Sequence, residues 1–150
     1  MPLVTDIRPI AATLYFLPVQ TRVPLKFGPE TLTHVTCARV CVKVADRQGR
    51  TAEGWGETPL SVQWVWPSQV PYEERHQALR EFCVELTELW ASVRSVGHPI
   101  EVGHDFQETV LQPWLKGFNQ RSRRGKEPMP WLAALVCCSP FDLAVHDAFG

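Results

Sequence analysis

The hydrophobic pattern of this 150-residue chain changes its period once, near residue 70. Before that point apolar and polar residues alternate, which is the two-residue period of a strand with one buried face. After it the apolar residues recur at intervals of three and four, which is typical of a helix with an apolar stripe. Strands first and helices second predict an α+β fold: a three-stranded antiparallel meander over residues 1–60, followed by a helical bundle over residues 70–150.

Two of the three predicted strands are joined by a short turn. Alternating small and branched residues give one strand a core face made of Ala38, Val40, Val42 and Val44. A turn at Gly49 then returns the chain as a third strand, residues 51–57. Glycine inside a strand usually marks a bulge or the close approach of another backbone, so Gly54 and Gly56 predict one of these two features.

Two long loops are predicted within and after the sheet. The first strand covers residues 10–16 and ends at Pro18. Residues 18–33 contain three prolines and one glycine, which indicates a loop. Residues 58–67 form the second loop and carry Trp64 and Trp66. Loops of this length are uncommon in compact domains and are often functional.

Helical periodicity follows from Pro71 onward. The stripe of the first long helix consists of Leu79, Phe82, Cys83, Leu86, Leu89, Trp90 and Val93. This helix is expected to stop at Gly97 and Pro99. A second helix is predicted over 106–118, in which Pro113 either kinks the helix or restarts it. Residues 121–126 are basic and are interpreted as a solvated loop.

The last segment, residues 130–150, is predicted to break once. The string Ser139-Pro140-Phe141-Asp142 has the form of a capping box, with serine as the N-cap and proline in the first turn. We therefore expect a fresh helix to start at Pro140.

Composition excludes several function classes. The chain is 45% hydrophobic and 21% charged, which is typical of a globular protein, and its net charge is −1. This balance removes the attraction that drives binding to nucleic acids and to anionic membranes. The start lacks a secretory signal, and the longest apolar run, residues 131–138, is far short of the ~18 residues of a membrane span. We therefore expect a cytoplasmic protein whose five cysteines are reduced, with no nucleic-acid or membrane partner.

Catalytic and metal-binding patterns are weak. Cys137, Cys138 and His146 could converge on a metal, but adjacent cysteines point to different sides of a helix, which favours buried packing. The pairs at 104–105 and 146–147 are each a histidine followed by an aspartate, and helical neighbours face different directions. We assign no catalytic and no metal-binding residue. A small cysteine- or metal-dependent protein remains an alternative that zinc analysis would test.

The tryptophans of the 58–67 loop admit two interpretations. Trp64 and Trp66 can close one end of the core. They can also line a concave surface for a ligand or a partner, because exposed aromatic residues are costly unless something covers them.

Two strings resemble the N-terminal capping domain of the enolase superfamily, and more closely its mandelate racemase and muconate-lactonizing branch. The first runs from Val40 through the Gly49 turn to the Gly-Trp-Gly-Glu string that ends at Glu57. The second, residues 142–150, is similar to the helix that joins cap and barrel in this family, where tryptophan is common at the position of His146. The resemblance covers nearly the whole chain.

The resemblance implies a division of labour. In such enzymes a C-terminal barrel carries the bases and the Mg²⁺ ligands, and the cap closes over a small carboxylate substrate. Two cap loops shape the pocket, which in this sequence correspond to 18–33 and 58–67 and give Phe27, Trp64 and Trp66 as substrate-specificity candidates. The resemblance implies that Glu57 is a structural residue. A barrel needs roughly 200 residues or more, so we expect residues 1–150 to be a single capping domain without its barrel and inactive alone.

The full-length parent is expected to be an isomerase or a lyase of this superfamily, with a possible homo-oligomeric state. The alternative is a stand-alone module that reuses the cap fold to bind a small molecule or a protein. In that case the loop that carries Trp64 would be its contact surface.

Overall fold

The elements follow the predicted order of strands and then helices. The computed structural model describes residues 1–150. Its strands are β1 (Ile7–Phe27), β2 (Glu30–Asp46) and β3 (Thr51–Pro59), and its helices are α1 (Val62–Val65), α2 (Tyr72–Ala91), α3 (Pro99–Phe106), α4 (Gln112–Ser122) and α5 (Trp131–Phe149). A π-helical turn, Gln107–Leu111, joins α3 to α4. The strands form one antiparallel sheet in the order β1-β2-β3, which confirms the predicted α+β fold.

The core face of β2 is the one predicted from its alternation. Ala38, Val40 and Val42 are fully buried and Val44 is 3% exposed. They belong to one hydrophobic cluster of 29 buried residues that joins the sheet to α2 and α5. The β2–β3 turn contains Gly49 at φ 81°, a backbone conformation that favours glycine.

The two glycines of β3 allow α5 to lie directly on the sheet. A methyl group placed on Gly54 would collide with the backbone of Ala144 and Ala148, and one on Gly56 would collide with the carbonyl oxygen of Pro140. The register between β2 and β3 runs without a shift, so the strand has no bulge. Of the two features predicted for these glycines, close approach of a backbone is confirmed.

The predicted loop over 18–33 is wrong, because these residues extend the β1–β2 hairpin. Pairing continues from Pro18 with Thr36 to Phe27 with Glu30, with one irregularity between Gln20 and Leu25. Since β1 is an edge strand, half of its N–H groups face away from the sheet, and proline is tolerated there. A two-residue turn closes the hairpin, with Gly28 at φ 56°.

The second predicted loop contains a short helix. Within residues 58–67, β3 continues to Pro59 and α1 occupies Val62–Val65. The backbone N–H of Trp66 donates to the carbonyl oxygen of Val62 at 2.9 Å, and the side chain of Trp66 is buried in the core.

The predicted helix boundaries are corrected at three places. Helix α2 ends at Ala91, well before the Gly97–Pro99 stop. Helical structure resumes already at Pro99 and continues through the π-helical turn to Ser122. Pro113 lies in the first turn of α4, and the helix does not stop and restart there. The predicted break at Pro140 is wrong, since α5 runs through it from Trp131 to Phe149.

Tertiary contacts explain why α5 does not break. Instead of capping a new helix, the hydroxyl of Ser139 lies 3.0 Å from that of Thr58 in the sheet. The carbonyl oxygen of Pro140 lies over Gly56, one of the two glycines of β3 at which the helix closely approaches the sheet. α5 has 19 residues, and an 18-residue window of it has a mean hydropathy of 1.4, so it is long and apolar enough to cross a membrane. However, 56% of that window is buried inside this fold. A helix buried in the core of a folded domain can have the same length and hydropathy.

Candidate functional site

An open groove lies where the tip of the β1–β2 hairpin meets the segment that follows α1. Its volume is about 980 Å³. The walls come from three parts of the chain: the hairpin tip, the 63–72 segment with the start of α2, and the loop before α5. The side chains that give the groove its chemistry are Phe27, Glu30, Trp64, Tyr72, Arg75 and Glu127.

Arg75 fixes the hairpin tip to α2. Its side chain is 2% exposed, and its Nη2 donates to Glu30 Oε1 at 2.8 Å. Its Nη1 donates to the carbonyl oxygen of Trp66 at 2.7 Å, which also ties the segment after α1 to the same guanidinium. Its Nε is buried and makes no hydrogen bond. One buried cation therefore holds two walls of the groove together.

A second buried arginine supports the third wall. The Nε of Arg123 donates to the carbonyl oxygen of Glu127 at 2.9 Å, and its Nη1 donates to Glu74 Oε1 at 2.7 Å. Its guanidinium lies 5.1 Å from the ring centre of Trp66. The interpretation of 121–126 as a solvated loop is therefore wrong at Arg123, which is 5% exposed.

The structure places two of the three predicted specificity residues on the groove. Phe27 is 36% exposed and Trp64 is 56% exposed, and both line it although they are far apart in the sequence. Trp66 is 1% exposed and lies beneath the groove in the core. Its Nε1 donates to Glu127 Oε1 at 2.7 Å, so it orients a lining residue instead of forming the surface.

The remaining lining residues were missed by sequence reasoning. Arg75 had a usable signal, because it lies four and seven residues before Leu79 and Phe82 and therefore shares the buried stripe of α2. A charged residue in such a stripe needs a partner inside the fold. Glu30 and Glu127 gave no local signal, since only the tertiary fold brings them to the groove.

The titratable groups of the groove are held in defined states. The pKa of Glu127 is lowered by the hydrogen bonds that it accepts from Trp66 and Ser68, so it is ionised at neutral pH. Burial raises the pKa of the Tyr72 hydroxyl, which keeps this ring neutral. Tyr72 stacks on His76 at 5.6 Å, and burial lowers the pKa of that imidazole. The groove thus presents carboxylates and neutral rings.

The chain offers no metal site. No three His, Cys, Asp or Glu side chains lie close enough together to hold an ion. Cys137 and Cys138 are buried, and burial raises the pKa of Cys138 to about 12, which leaves a protonated thiol that is a poor ligand. The residues present therefore do not fit the Mg²⁺ that the family resemblance implies for the parent enzyme.

The histidine and aspartate at 146–147 act separately. Asp147 accepts a hydrogen bond from the backbone N–H of Trp55 at 2.8 Å and so tethers α5 to the edge of β3. His146 instead faces Asp142, with its Nε2 4.0 Å from Asp142 Oδ2. This pair is not arranged as an acid and base on one substrate.

A second surface feature is an apolar stripe of partly exposed side chains along α5. Its largest members are between 37% and 48% exposed: Trp131, Leu132, Leu143 and Phe149. Leu135 and Val136 are half-buried beside them. Asp142 and His146 lie among these residues, and Leu143 is also next to Gly56 of β3.

Comparisons with known proteins give structural similarity only. No family model and no curated protein matches the chain. A member of the enolase superfamily from Roseovarius nubinhibens is 14% identical at a TM-score of 0.38, with 87% of this chain covered and 29% of that chain. The L-Ala-D/L-Glu epimerase of Bacillus subtilis, in a substrate-liganded complex, is 17% identical at a TM-score of 0.40, with 77% and 32% covered. The chain thus spans about a third of each of these two proteins.

Proposed function

We propose that this chain is the substrate-specificity cap of an enzyme of the mandelate racemase and muconate-lactonizing type. The observation that carries the proposal is the convergence of two segments on one groove. The family resemblance assigns 18–33 and 58–67 to the substrate pocket. In the fold the tip of the first and Trp64 of the second face the same cavity.

The contact between α5 and the sheet supports the same proposal. The two strings that carry the resemblance are the Gly-Trp-Gly-Glu string and residues 142–150. They meet where Gly54 receives the backbone of Ala144 and Ala148. Their residue types are therefore explained by one packing requirement, which a cap of this family would share.

The partner proposed for the apolar stripe of α5 is the C-terminal barrel. Exposed apolar residues arranged along one side of a helix mark a surface that another protein element covers. A barrel against Leu132 and Leu143 would bury that stripe and place its mouth beside the cap. Acidic residues of the barrel would hold Mg²⁺, which would supply electrostatic stabilisation for the removal of a proton next to a carboxylate.

The residues of this chain would then bind and enclose the substrate without reacting with it. Phe27 and Trp64 would cover the part of the substrate that projects from the barrel and exclude water from it. Arg75 would hold the two walls at a fixed separation through Glu30 and the carbonyl oxygen of Trp66. Proton transfer itself is left to the barrel.

A stand-alone binding module is the second candidate function. It is favoured by the exposed aromatic side chains of the groove, Phe27 and Trp64, which a ligand can cover. Under this function the stripe on α5 would bind a protein partner or a second copy.

The experiment compares residues 1–150 with the complete reading frame that contains them. Exchange of the proton next to the carboxylate is followed by NMR in D₂O with Mg²⁺, over a panel of hydroxy and amino acids. We expect exchange by a longer product and none by residues 1–150. Exchange by residues 1–150 alone, or a frame that ends after Gly150, would refute the cap proposal, and the latter result would favour the binding module.

The stripe gives a matched pair of variants for a longer product. Leu132→Glu should lower the melting temperature and the exchange rate, because Leu132 is 40% exposed in the stripe and the variant places a charge in the contact with the barrel. Val84→Glu is the control, since Val84 is 53% exposed on α2 and lies outside the stripe. Equal behaviour of the two variants would contradict a barrel on α5.

A further inference from the structure

We infer that the groove selects a small organic cation, an ammonium or guanidinium group carried on an apolar or aromatic body. The inference rests on the proposed function only where it concerns the substrate of the parent enzyme. Binding by the groove itself is a property of residues 1–150.

The walls of the groove offer aromatic faces to a ligand. Phe27 on the hairpin tip is 36% exposed and Trp64 in α1 is 56% exposed, and Tyr72 adds a third ring. A cation placed over such rings is attracted by their electron-rich faces, most strongly by tryptophan. The same rings cover the apolar body of a ligand.

The charge accessible in the groove is negative. Its acidic lining residues are Glu30 and Glu127, and its only basic lining residue is Arg75. The side chain of Arg75 is 2% exposed, and both of its Nη groups donate to the protein. Its free Nε is buried as well, so it offers nothing to an anionic ligand.

The basic residues beside the groove are also engaged. Arg123 and Lys126 reach Glu74 at 2.7 and 3.3 Å, and neither belongs to the lining. One oxygen of Glu127 accepts a hydrogen bond from the indole N–H of Trp66 at 2.7 Å, and Glu127 belongs to the lining. Since Glu30 is paired with Arg75, the carboxylate of Glu127 is the charge of the lining that no lining cation balances. An anion entering the groove would meet this carboxylate and no available donor cation, whereas a cation finds complementary charge.

For the parent enzyme, the inference adds a cationic group to the carboxylate that the proposed function already requires of the substrate. The carboxylate end would face the barrel, and a cationic group at the far end would lie between Trp64 and Glu127. Charge at the far end would then separate substrates from neutral analogues of the same length.

The test uses residues 1–150 and three probes of the same size: benzylamine, benzyl alcohol and sodium benzoate. Binding is measured from the indole N–H signal of Trp64 in two-dimensional NMR, which Trp64→Phe identifies among the six tryptophans. We expect saturable binding of benzylamine that is about tenfold or more tighter than that of benzyl alcohol. Benzoate should bind more weakly than the alcohol.

Two variants separate charge from shape. Glu127→Gln keeps an oxygen for the Trp66 indole and should weaken benzylamine about three- to tenfold while leaving benzyl alcohol unchanged. Glu53→Gln, on the opposite face of the sheet where Glu53 pairs with Lys43, is the control and should bind as the native chain does. Unchanged melting curves establish that both variants are folded.

Equal affinity for the three probes, or preference for benzoate, would overturn the inference. The same holds if Glu127→Gln and Glu53→Gln weaken benzylamine equally. These results leave proton exchange by a longer product untouched, so failure of the cation inference is distinct from failure of the cap proposal.

Discussion

Gly54→Ala tests the contact between α5 and the sheet. The added methyl carbon would lie 2.7 Å from the Cα of Ala148, where 3.4–4 Å is ordinary contact, and closer still to two other backbone atoms of α5. Backbone atoms cannot rotate away as a side chain does. The helix must therefore retreat from β3 by roughly 1 Å, a gap that on its own forfeits a quarter to a half of the dispersion attraction between facing atoms.

The cost follows from what α5 contributes to the core. Overpacking usually costs about 1–3 kcal/mol, and a collision with an immobile backbone places Gly54→Ala at about 3 kcal/mol. For a chain of this length each kcal/mol lowers the melting temperature by about 2–4 °C, so a loss of about 6–12 °C is expected.

Gly117→Ala is the matched control of opposite sign. Gly117 lies inside α4, and nothing is within 4 Å of the position of a methyl group. Replacing glycine by alanine in a helix stabilises it by about 0.5–1 kcal/mol. Urea unfolding followed by circular dichroism gives both free energies. A free energy of unfolding for Gly54→Ala within about 0.5 kcal/mol of the native value would refute the close packing of α5 on β3.

Three further outcomes are expected. Burial raises the pKa of Asp142 above its ordinary value of 3.8, so its ionisation destabilises the fold as pH rises through the interval between the two values. Asp142→Asn should therefore be more stable than the native chain at pH 7 and lose this advantage below pH 3.8, whereas equal stability at both pH values would contradict it. Glu30→Ala leaves the buried Arg75 with one partner and should cost about 2 kcal/mol in urea unfolding, a value below that of a fully buried pair because Glu30 is partly exposed. Glu57→Ala is the control, because it breaks the exposed pair with Arg39 and should cost less than about 1 kcal/mol. Equal losses of unfolding free energy in Glu30→Ala and Glu57→Ala would refute the anchoring role of Arg75. Iodoacetamide at pH 8 should modify the partly exposed Cys41 first and spare Cys138, because burial raises the pKa of Cys138 to about 12. Equal modification of the two cysteines in mass spectrometry would contradict this.

Local patterns predicted much of the sheet and of α2. The alternation in β2 predicted its core face, and Gly49 predicted the turn, because both depend on neighbouring residues alone. The same reasoning failed at Pro18 and at Pro140. Proline usually ends a strand or a helix, but pairing with β2 and packing on Gly56 outweigh that local preference.

The groove was predictable only in part. The two segments that form it and the aromatic residues Phe27 and Trp64 came from the sequence and its family resemblance. Arg75 was detectable as a charge in an apolar stripe. The carboxylates of Glu30 and Glu127 were not, because their roles arise from partners 45 and 61 residues away.

The sequence by itself determined the order of elements, the buried face of β2 and the need for glycine in β3. These features depend on periodicity and on the space available at a single residue. Only the tertiary structure decided that 18–33 is a hairpin, that α5 continues through Pro140, and that two acidic residues share one groove. Such features depend on contacts between distant segments, whose combined free energy exceeds any local preference.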